Sequence, residues 1–121
     1  MSKHFSLEEF GITRWTYPWR EMAREAEILR WNINCAMYIT SGKRTPAYNR
    51  SIGGRPNSQH LLVALDFEVF AGTPARYELI GQIIVRGMKL GILRKGGVGI
   101  YDKHVHWDRR GKLYVWRGTS K

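Results

Sequence analysis

The sequence predicts an α+β domain in which helices pack on one face of a small, mainly antiparallel sheet. Two long segments, residues 18–33 and 75–90, repeat apolar residues at helical spacing. Several shorter segments alternate apolar and polar residues, as half-buried strands do. The length of 121 residues allows one modest core and no second module. We therefore treat residues 1–121 as one domain.

The N-terminal half contains the main helix. Before it, Ser6 can cap a short helix whose Glu9 reaches back to the cap, while Phe5 packs onto Phe10. The main helix over residues 18–33 carries its apolar side chains on one face and charged side chains on the other. These signals predict two helices before the first strand.

The rest of the chain alternates strands, loops and one more helix. Along residues 63–69, Leu65 and Phe67 point one way while Asp66 and Glu68 point the other, which predicts a half-buried strand. The other predicted elements are a strand over 36–40, one or two helical turns over 46–52, a helix over 75–90, and short strands over 97–101, 104–109 and 112–116. A tight turn at residues 110–111 is expected to join the last two strands.

The net charge of +10, from 20 Lys and Arg against 10 Asp and Glu, predicts long-range attraction to a polyanion. Nucleic acid, teichoic acid, anionic peptidoglycan and acidic lipid all qualify. The densest basic cluster comprises Lys103, Arg109, Arg110, Lys112, Arg117 and Lys121. Five Trp and six Tyr could stack on nucleic-acid bases, but most of them fall on apolar faces. We therefore expect no specific nucleic-acid binding.

Membrane and secretion signals are weak in this sequence. No apolar run approaches the length of a membrane span, so we expect no membrane partner. The N-terminal MSKHFSLEEF has no apolar signal core, which predicts synthesis in a cytoplasm without a signal peptide. Cys35 is the single cysteine, which excludes an internal disulfide, and we place it late in the main helix as a small buried group.

A second strand carries polar side chains in a pattern that metal sites use. His104, His106 and Asp108 alternate with Val105 and Trp107 and so project from one face. A solvated polar face is the alternative explanation for this strand, as it is for the acidic face of residues 63–69.

Zinc chemistry favours His and carboxylate donors, three from the protein with a fourth position open. His60, Asp66 and His106 would supply that set. Six residues of straight strand span about 20 Å, so His60 can join the set only from a loop that folds back before the strand begins.

Three stretches carry a resemblance: SGKRTPAYNRSIGG, PNSQHLLVALDF, and GGVGIYDKHVHWDRRG followed by Trp116. They resemble the zinc D-alanyl-D-alanine peptidases, a family that includes small phage endolysins and shares its fold with the Hedgehog signalling domain. HFSLEEF also resembles the opening of that family, so the resemblance covers nearly the whole chain. It implies a Hedgehog-like, D-Ala-D-Ala-peptidase-like fold.

The resemblance also implies roles for individual residues. His60, Asp66 and His106 match the positions that bind Zn²⁺ in the family. Arg44 matches the arginine expected to hold a substrate carboxylate, and Ser58 is expected to assist it.

Two features depart from the family pattern. The spacing S-x-H-x-x-G-x-A-x-D is one residue longer than the segment from Ser58 to Asp66, which also lacks the glycine. Lys103 stands where several relatives carry an acidic general base. Asp102, His104 and Asp108 are the local substitutes, and we favour His104 because it shares a strand face with His106.

The resemblance implies a zinc-dependent peptidase that hydrolyses stem or cross-link peptides of bacterial peptidoglycan, in the manner of an endolysin. We expect it to act at the host cell wall or in a virion, as a monomer unless it is virion-associated. The alternative is a catalytically impaired member of the same fold that serves as a phage structural or wall-binding protein. The missing glycine and Lys103 favour that alternative.

Overall fold

The computed structural model describes residues 2–120, with the side chain of Leu61 excepted. The helices are α1 (Leu7–Phe10), α2 (Tyr17–Ile33), α3 (Pro46–Ser51) and α4 (Pro74–Lys89). The strands are β1 (Met37–Ser41), β2 (Ala64–Val69), β3 (Gly97–Ile100), β4 (Val105–Asp108) and β5 (Tyr114–Arg117). A single 3₁₀ turn, Gln59–Leu61, precedes β2. The predicted α+β class is confirmed.

The five strands form one sheet in the order β1-β2-β4-β3-β5. Three of the strand pairs are antiparallel, and only β3 and β5 run parallel. The predicted hairpin between the last two strands is wrong, because β5 pairs with β3 instead of β4. The chain leaves β4 after Asp108 and turns at Gly111, whose φ is 97° and whose N–H donates to Lys95 O at 3.1 Å. It then crosses to the far side of β3 before β5 begins.

One face of the sheet packs against the long helices. Leu65 on β2 lies opposite Trp107 on β4, and Phe67 lies opposite Val105, all of them fully buried. The core continues through the inward faces of α2 and α4, where Trp19 is also buried, as predicted. The other face of the sheet therefore remains free for the polar residues of β2 and β4.

The ends of the first two helices agree with the sequence signals, since α1 has the predicted cap and α2 ends at Ile33, the last residue of the predicted main helix. Ser6 and Glu9 form the predicted capping box, and the rings of Phe5 and Phe10 lie 5.7 Å apart. Helix α2 ends at Ile33 because Asn34 adopts the left-handed conformation, with a φ of 53°.

The single cysteine lies outside the helix in which we expected it. Since α2 has already ended, Cys35 follows the helix and is only partly buried. An Arg76 guanidinium nitrogen lies 3.5 Å from its Sγ. The expectation of a small buried group late in the main helix is therefore wrong.

A buried ion pair ties α2 to the end of β4. Glu25 on α2 is 3% exposed, and its Oε1 accepts a hydrogen bond from Arg109 Nη1 at 2.7 Å. Its Oε2 accepts from the Arg94 backbone N–H at 3.1 Å. This contact fixes the strand that carries the polar face against the main helix.

The predicted basic cluster is partly neutralised by acidic partners. Arg109 pairs with Glu25, and Arg117 pairs with Glu78 at 2.7 Å. Lys121 lies outside the described residues. None of the helices within residues 2–120 combines the length and apolar character that crossing a bilayer requires.

Candidate active site

The polar face of the sheet is organised by strand register. Asp66 on β2 lies directly opposite His106 on β4, so their side chains are neighbours on the same face. The next position across the sheet is Gly99 on β3, followed by Trp116 on β5. Because Gly99 has no side chain, the Trp116 ring can lie over it and approach His106, with ring centroids 5.2 Å apart.

His60 reaches this face from the 3₁₀ turn before β2, as the spacing argument predicted. Ser58 caps the turn by accepting a hydrogen bond from the His60 N–H at 3.2 Å. The His60 ring contacts Gly42 O through Nδ1 at 2.7 Å, which places Nε2 3.1 Å from Asp66 Oδ2. The shortened spacing from His60 to Asp66 therefore still brings the two side chains together.

Gly42 is required for this arrangement. A Cβ atom at this position would collide with the backbone of Phe10, because the loop after β1 passes directly against the end of α1. The same loop donates the Lys43 N–H to Phe10 O at 2.8 Å. The N-terminal helix thus holds the carbonyl group that orients the His60 ring.

The residues predicted to bind metal fit a zinc ion. One ligand atom from each of His60, Asp66 and His106 lies within 4.8 Å of the others. The buried Nε2 of His60 has no well-aligned hydrogen-bond partner among residues 2–120, despite its closeness to Asp66. A buried nitrogen without a hydrogen bond is costly, and a cation held by two imidazoles and a carboxylate would satisfy it.

The charges of these groups are strongly coupled. Burial alone would raise the pKa of Asp66, but a hydrogen bond from His106 and the charges of the neighbouring His60 and His106 imidazoles hold it well below its usual range. Burial alone would lower the pKa of His106, but Asp108 and Asp66 raise it above its usual value. Asp66 is therefore ionised at neutral pH and available as a ligand.

Arg44 lies beside the cluster, with its side chain largely buried. Its Nε donates to Ser41 Oγ at 3.3 Å, and its Nη1 donates to Asn49 Oδ1 at 3.2 Å and to Ser58 Oγ at 3.5 Å. Its Nη2 lies 3.8 Å from Asp66 Oδ2. Three hydrogen-bond partners thus hold the guanidinium in place and leave one edge of it directed toward the cluster.

Asn49 is a site residue that the sequence did not reveal. It is 1% exposed, and its Nδ2 donates to Arg55 O at 2.7 Å while its Oδ1 accepts from Arg44. It therefore joins the Arg44 guanidinium to the loop after α3. A lone asparagine in a short helix carries no signal in the sequence that distinguishes this role from that of an ordinary polar helix residue.

A cavity of about 510 Å³ opens over the cluster. Its walls are formed by Arg44, Arg55, Asn57, Ser58, Gln59, His60, Asp66, Tyr101, His104, His106, Arg110, Tyr114 and Trp116. Asp66 is the single carboxylate among these described residues, whereas three of them are arginines. The cavity thus combines a metal-ligand set with positive charge and an aromatic wall.

Of the three general-base candidates, His104 alone lines the cavity. Burial holds the pKa of His104 below its usual value, and nearby Asp66 offsets only part of this, so the ring is neutral at neutral pH. Its Nδ1 lies 2.8 Å from Ser120 Oγ. Asp102 lies in the preceding loop, where its Oδ1 accepts the Ser120 N–H at 2.6 Å, and it is not part of the cavity wall.

The third candidate, Asp108, is fully buried behind His106. Its Oδ2 accepts from His106 Nε2 at 2.8 Å and from Arg110 Nη2 at 2.7 Å. Its Oδ1 accepts the Gly97 N–H at 2.8 Å. These contacts leave the carboxylate without access to the cavity. The sequence analysis assigned Arg110 only to the basic cluster and to the expected tight turn, although its place two residues after Asp108 is a local signal for such a pair.

The fold and the site together describe a metallohydrolase: an α+β scaffold, a His-Asp-His cluster and a cavity beside it. The model of the family Peptidase M15 matches residues 4–108 of the chain. The chain therefore belongs to the Peptidase M15 family, which confirms the resemblance found in the sequence. This family is one of zinc-dependent metallopeptidases, and His60, Asp66 and His106 could hold the metal. Comparison with the curated proteins and with the solved structures found no significant match.

Proposed function

We propose that this protein is a zinc peptidase that hydrolyses the stem or cross-link peptides of bacterial peptidoglycan. The observation that carries the proposal is the convergence of His60, Asp66 and His106, with the buried His60 Nε2 left without a hydrogen bond. Membership of the Peptidase M15 family supports the same chemistry. The proposed site of action is the cell wall of a phage host, in endolysin-like lysis or from a virion.

Zinc held by the three ligands would act as a Lewis acid that polarises the scissile carbonyl and acidifies a water molecule. The remaining work falls to the protein's own side chains. Arg44 would bind a substrate carboxylate through the guanidinium edge that faces the cluster, and so align the peptide with the metal ligands.

We assign proton transfer to His104. It is neutral at neutral pH and lines the cavity, and Ser120 contacts its Nδ1, so Nε2 is the atom that would accept the proton. The ring is stacked on Tyr101, with centroids 4.2 Å apart, and this contact limits its rotation. Tyr101 and Trp116, joined by a 2.9 Å hydrogen bond, form an aromatic wall of the cavity against which the bound peptide would pack.

Purified sacculi provide the test. The wild-type protein with zinc is expected to release peptides whose new ends, identified by mass spectrometry, define the bond that is cut. His106→Ala is expected to release none. Zinc-loaded wild-type protein that leaves sacculi intact would contradict the proposal.

A second candidate is a catalytically impaired relative that binds the cell wall or serves as a phage structural protein. The observation that favours it is the absence of any carboxylate other than Asp66 from the cavity wall, as far as the described residues go. Lys103, at the position of the family's acidic base, is exposed. Binding to sacculi without release of peptides, in the presence of zinc, would support this candidate.

A further inference from the structure

Asp108 is the most densely hydrogen-bonded carboxylate near the cluster. Five N–H groups converge on it: those of the Gly97 and Arg110 backbones, Arg110 Nε and Nη2, and His106 Nε2. It is fully buried, and its partners surround both oxygens. A carboxylate in this setting accepts hydrogen bonds and does not exchange protons with a substrate in the cavity.

Arg110 closes the arrangement from the cavity side. Its guanidinium contacts Asp108 through two nitrogens and lies 5.2 Å from the ring centroid of Trp116 and 5.6 Å from that of Tyr114. Gly97 makes room for the pair, because a Cβ there would lie 2.5 Å from Asp108 Oδ2 and 2.8 Å from Arg110 Nε. The rings of Trp116 and Tyr114 and the space left by Gly97 therefore determine the position in which Arg110 hydrogen-bonds to Asp108.

The contacts of Asp108 determine the orientation and the protonation of the His106 ring. Because the buried Asp108 carboxylate accepts hydrogen bonds, Nε2 of His106 donates to it and keeps its proton, and Nδ1 is the nitrogen that would give up its proton to bind a metal. Nδ1 is also the atom on the side of Asp66, at 3.0 Å from its Oδ1. Asp108 and Arg110 thus determine both the ring orientation and the nitrogen that His106 offers.

We propose that Asp108 and Arg110 act as a positioning pair that fixes the His106 imidazole in its metal-binding tautomer. This inference rests on the proposed zinc site and assigns Asp108 a role other than that of general base. Partners of this kind behind metal-binding histidines typically contribute 10- to 100-fold to metal affinity, so about that loss is expected when the pair is broken.

The experiment measures zinc affinity, by competition with a chromophoric chelator, for the wild type, Asp108→Asn and Arg110→Gln. Each apoprotein is first shown to be folded by circular dichroism. Asp108→Asn is expected to bind zinc about 10- to 100-fold more weakly. Arg110→Gln removes the guanidinium that holds Asp108 but keeps the carboxylate, so it is expected to weaken zinc binding less than Asp108→Asn does. If Asp108→Asn does not fold, Arg110→Gln alone decides the question.

A matched control is Arg109→Gln, which breaks the neighbouring buried pair with Glu25 and leaves Asp108 intact. It is expected to lower the melting temperature of the apoprotein without changing zinc affinity. The Co²⁺-substituted proteins give a second readout: the visible absorption of Arg110→Gln should shift, and that of Arg109→Gln should not. If both Asp108→Asn and Arg110→Gln bind zinc with wild-type affinity, the positioning role of the pair is overturned while the proposed function stands. A wild type that binds no zinc would overturn the proposed function as well.

Discussion

Replacing Arg44 by Gln tests how the protein recognises its substrate. Arg44 is held by Ser41, Asn49 and Ser58 with one guanidinium edge toward the metal-ligand cluster. Glutamine keeps a polar group at this position but removes the charge and the forked geometry. Hydrogen bonds to charged groups contribute about 1.5–3 kcal/mol, so kcat/KM should fall about 10- to 150-fold.

The assay compares two stem peptides that differ only in one terminal group, a free carboxylate or its carboxamide. Arg44→Gln is expected to lose most of its activity on the free acid and little on the amide, because only the acid forms the charged contact. Arg50→Gln is the matched control, since Arg50 is an exposed arginine in the last turn of α3 and does not line the cavity. Zinc content should be unchanged in both variants. An equal loss on both peptides would refute carboxylate recognition by Arg44.

Three further predictions concern the ligands and two ion pairs. His106→Ala should remove both bound zinc and peptidase activity, and full activity in this variant would contradict the ligand assignment. Arg109→Gln removes the nearest charged partner of buried Glu25 and leaves only the exposed Arg24 at 3.9 Å, so urea unfolding should show a loss of about 3 kcal/mol, and a loss below about 1 kcal/mol would argue against that reasoning. Hydrogen bonds from Arg117 lower the pKa of Glu78 from 4.5 to about 2, so the small stabilisation from this exposed pair should be present above pH 4.5 and lost as the pH falls toward 2. Unfolding of metal-free wild type and Glu78→Gln should therefore converge across that range, and a constant difference between them would contradict the assignment.

The face of each site residue could be predicted from the sequence because strand alternation is a local property. Within one strand, Asp66 projects from the face opposite to that of Leu65 and Phe67, and His106 projects from the face opposite to that of Trp107. This alternation does not depend on the rest of the chain. The position of His60 could also be inferred, since strand length alone excluded a straight path to Asp66. The chain reverses in a 3₁₀ turn at that point.

Properties that depend on distant parts of the chain were not predictable. The sequence around Gly111 suggests a hairpin, but β5 instead pairs with β3, because the pairing of a strand is decided by the edge that remains open and by long-range packing. The buried setting of Asp108 follows from the pairing of β4 with β3, since Gly97 on β3 supplies one of its donors. Alternation placed Asp108 on the correct face but could not reveal that Arg110 would cover it.

The apolar periodicity of the helices predicted which face of each helix is buried, but it did not predict the burial of every single residue on that face. Leu79 has the spacing of the apolar face of α4, yet it is 53% exposed, while Ile80 and Ile84 are fully buried. The apolar stripe of a helix is wider than the surface that its neighbours cover, and periodicity does not define where that surface ends.

The zinc content of the protein purified without chelator, compared with that of His60→Ala, shows whether His60, Asp66 and His106 form a zinc site. His60 is the informative ligand because its buried Nε2 has no hydrogen bond to any of the described residues. About one zinc per chain is expected in the wild type and a large loss in the variant, since the site has three protein ligands. A wild type that holds no zinc, even after zinc is added back, would contradict this expectation and would leave Asp66 as a polar residue on a fold that serves binding or assembly.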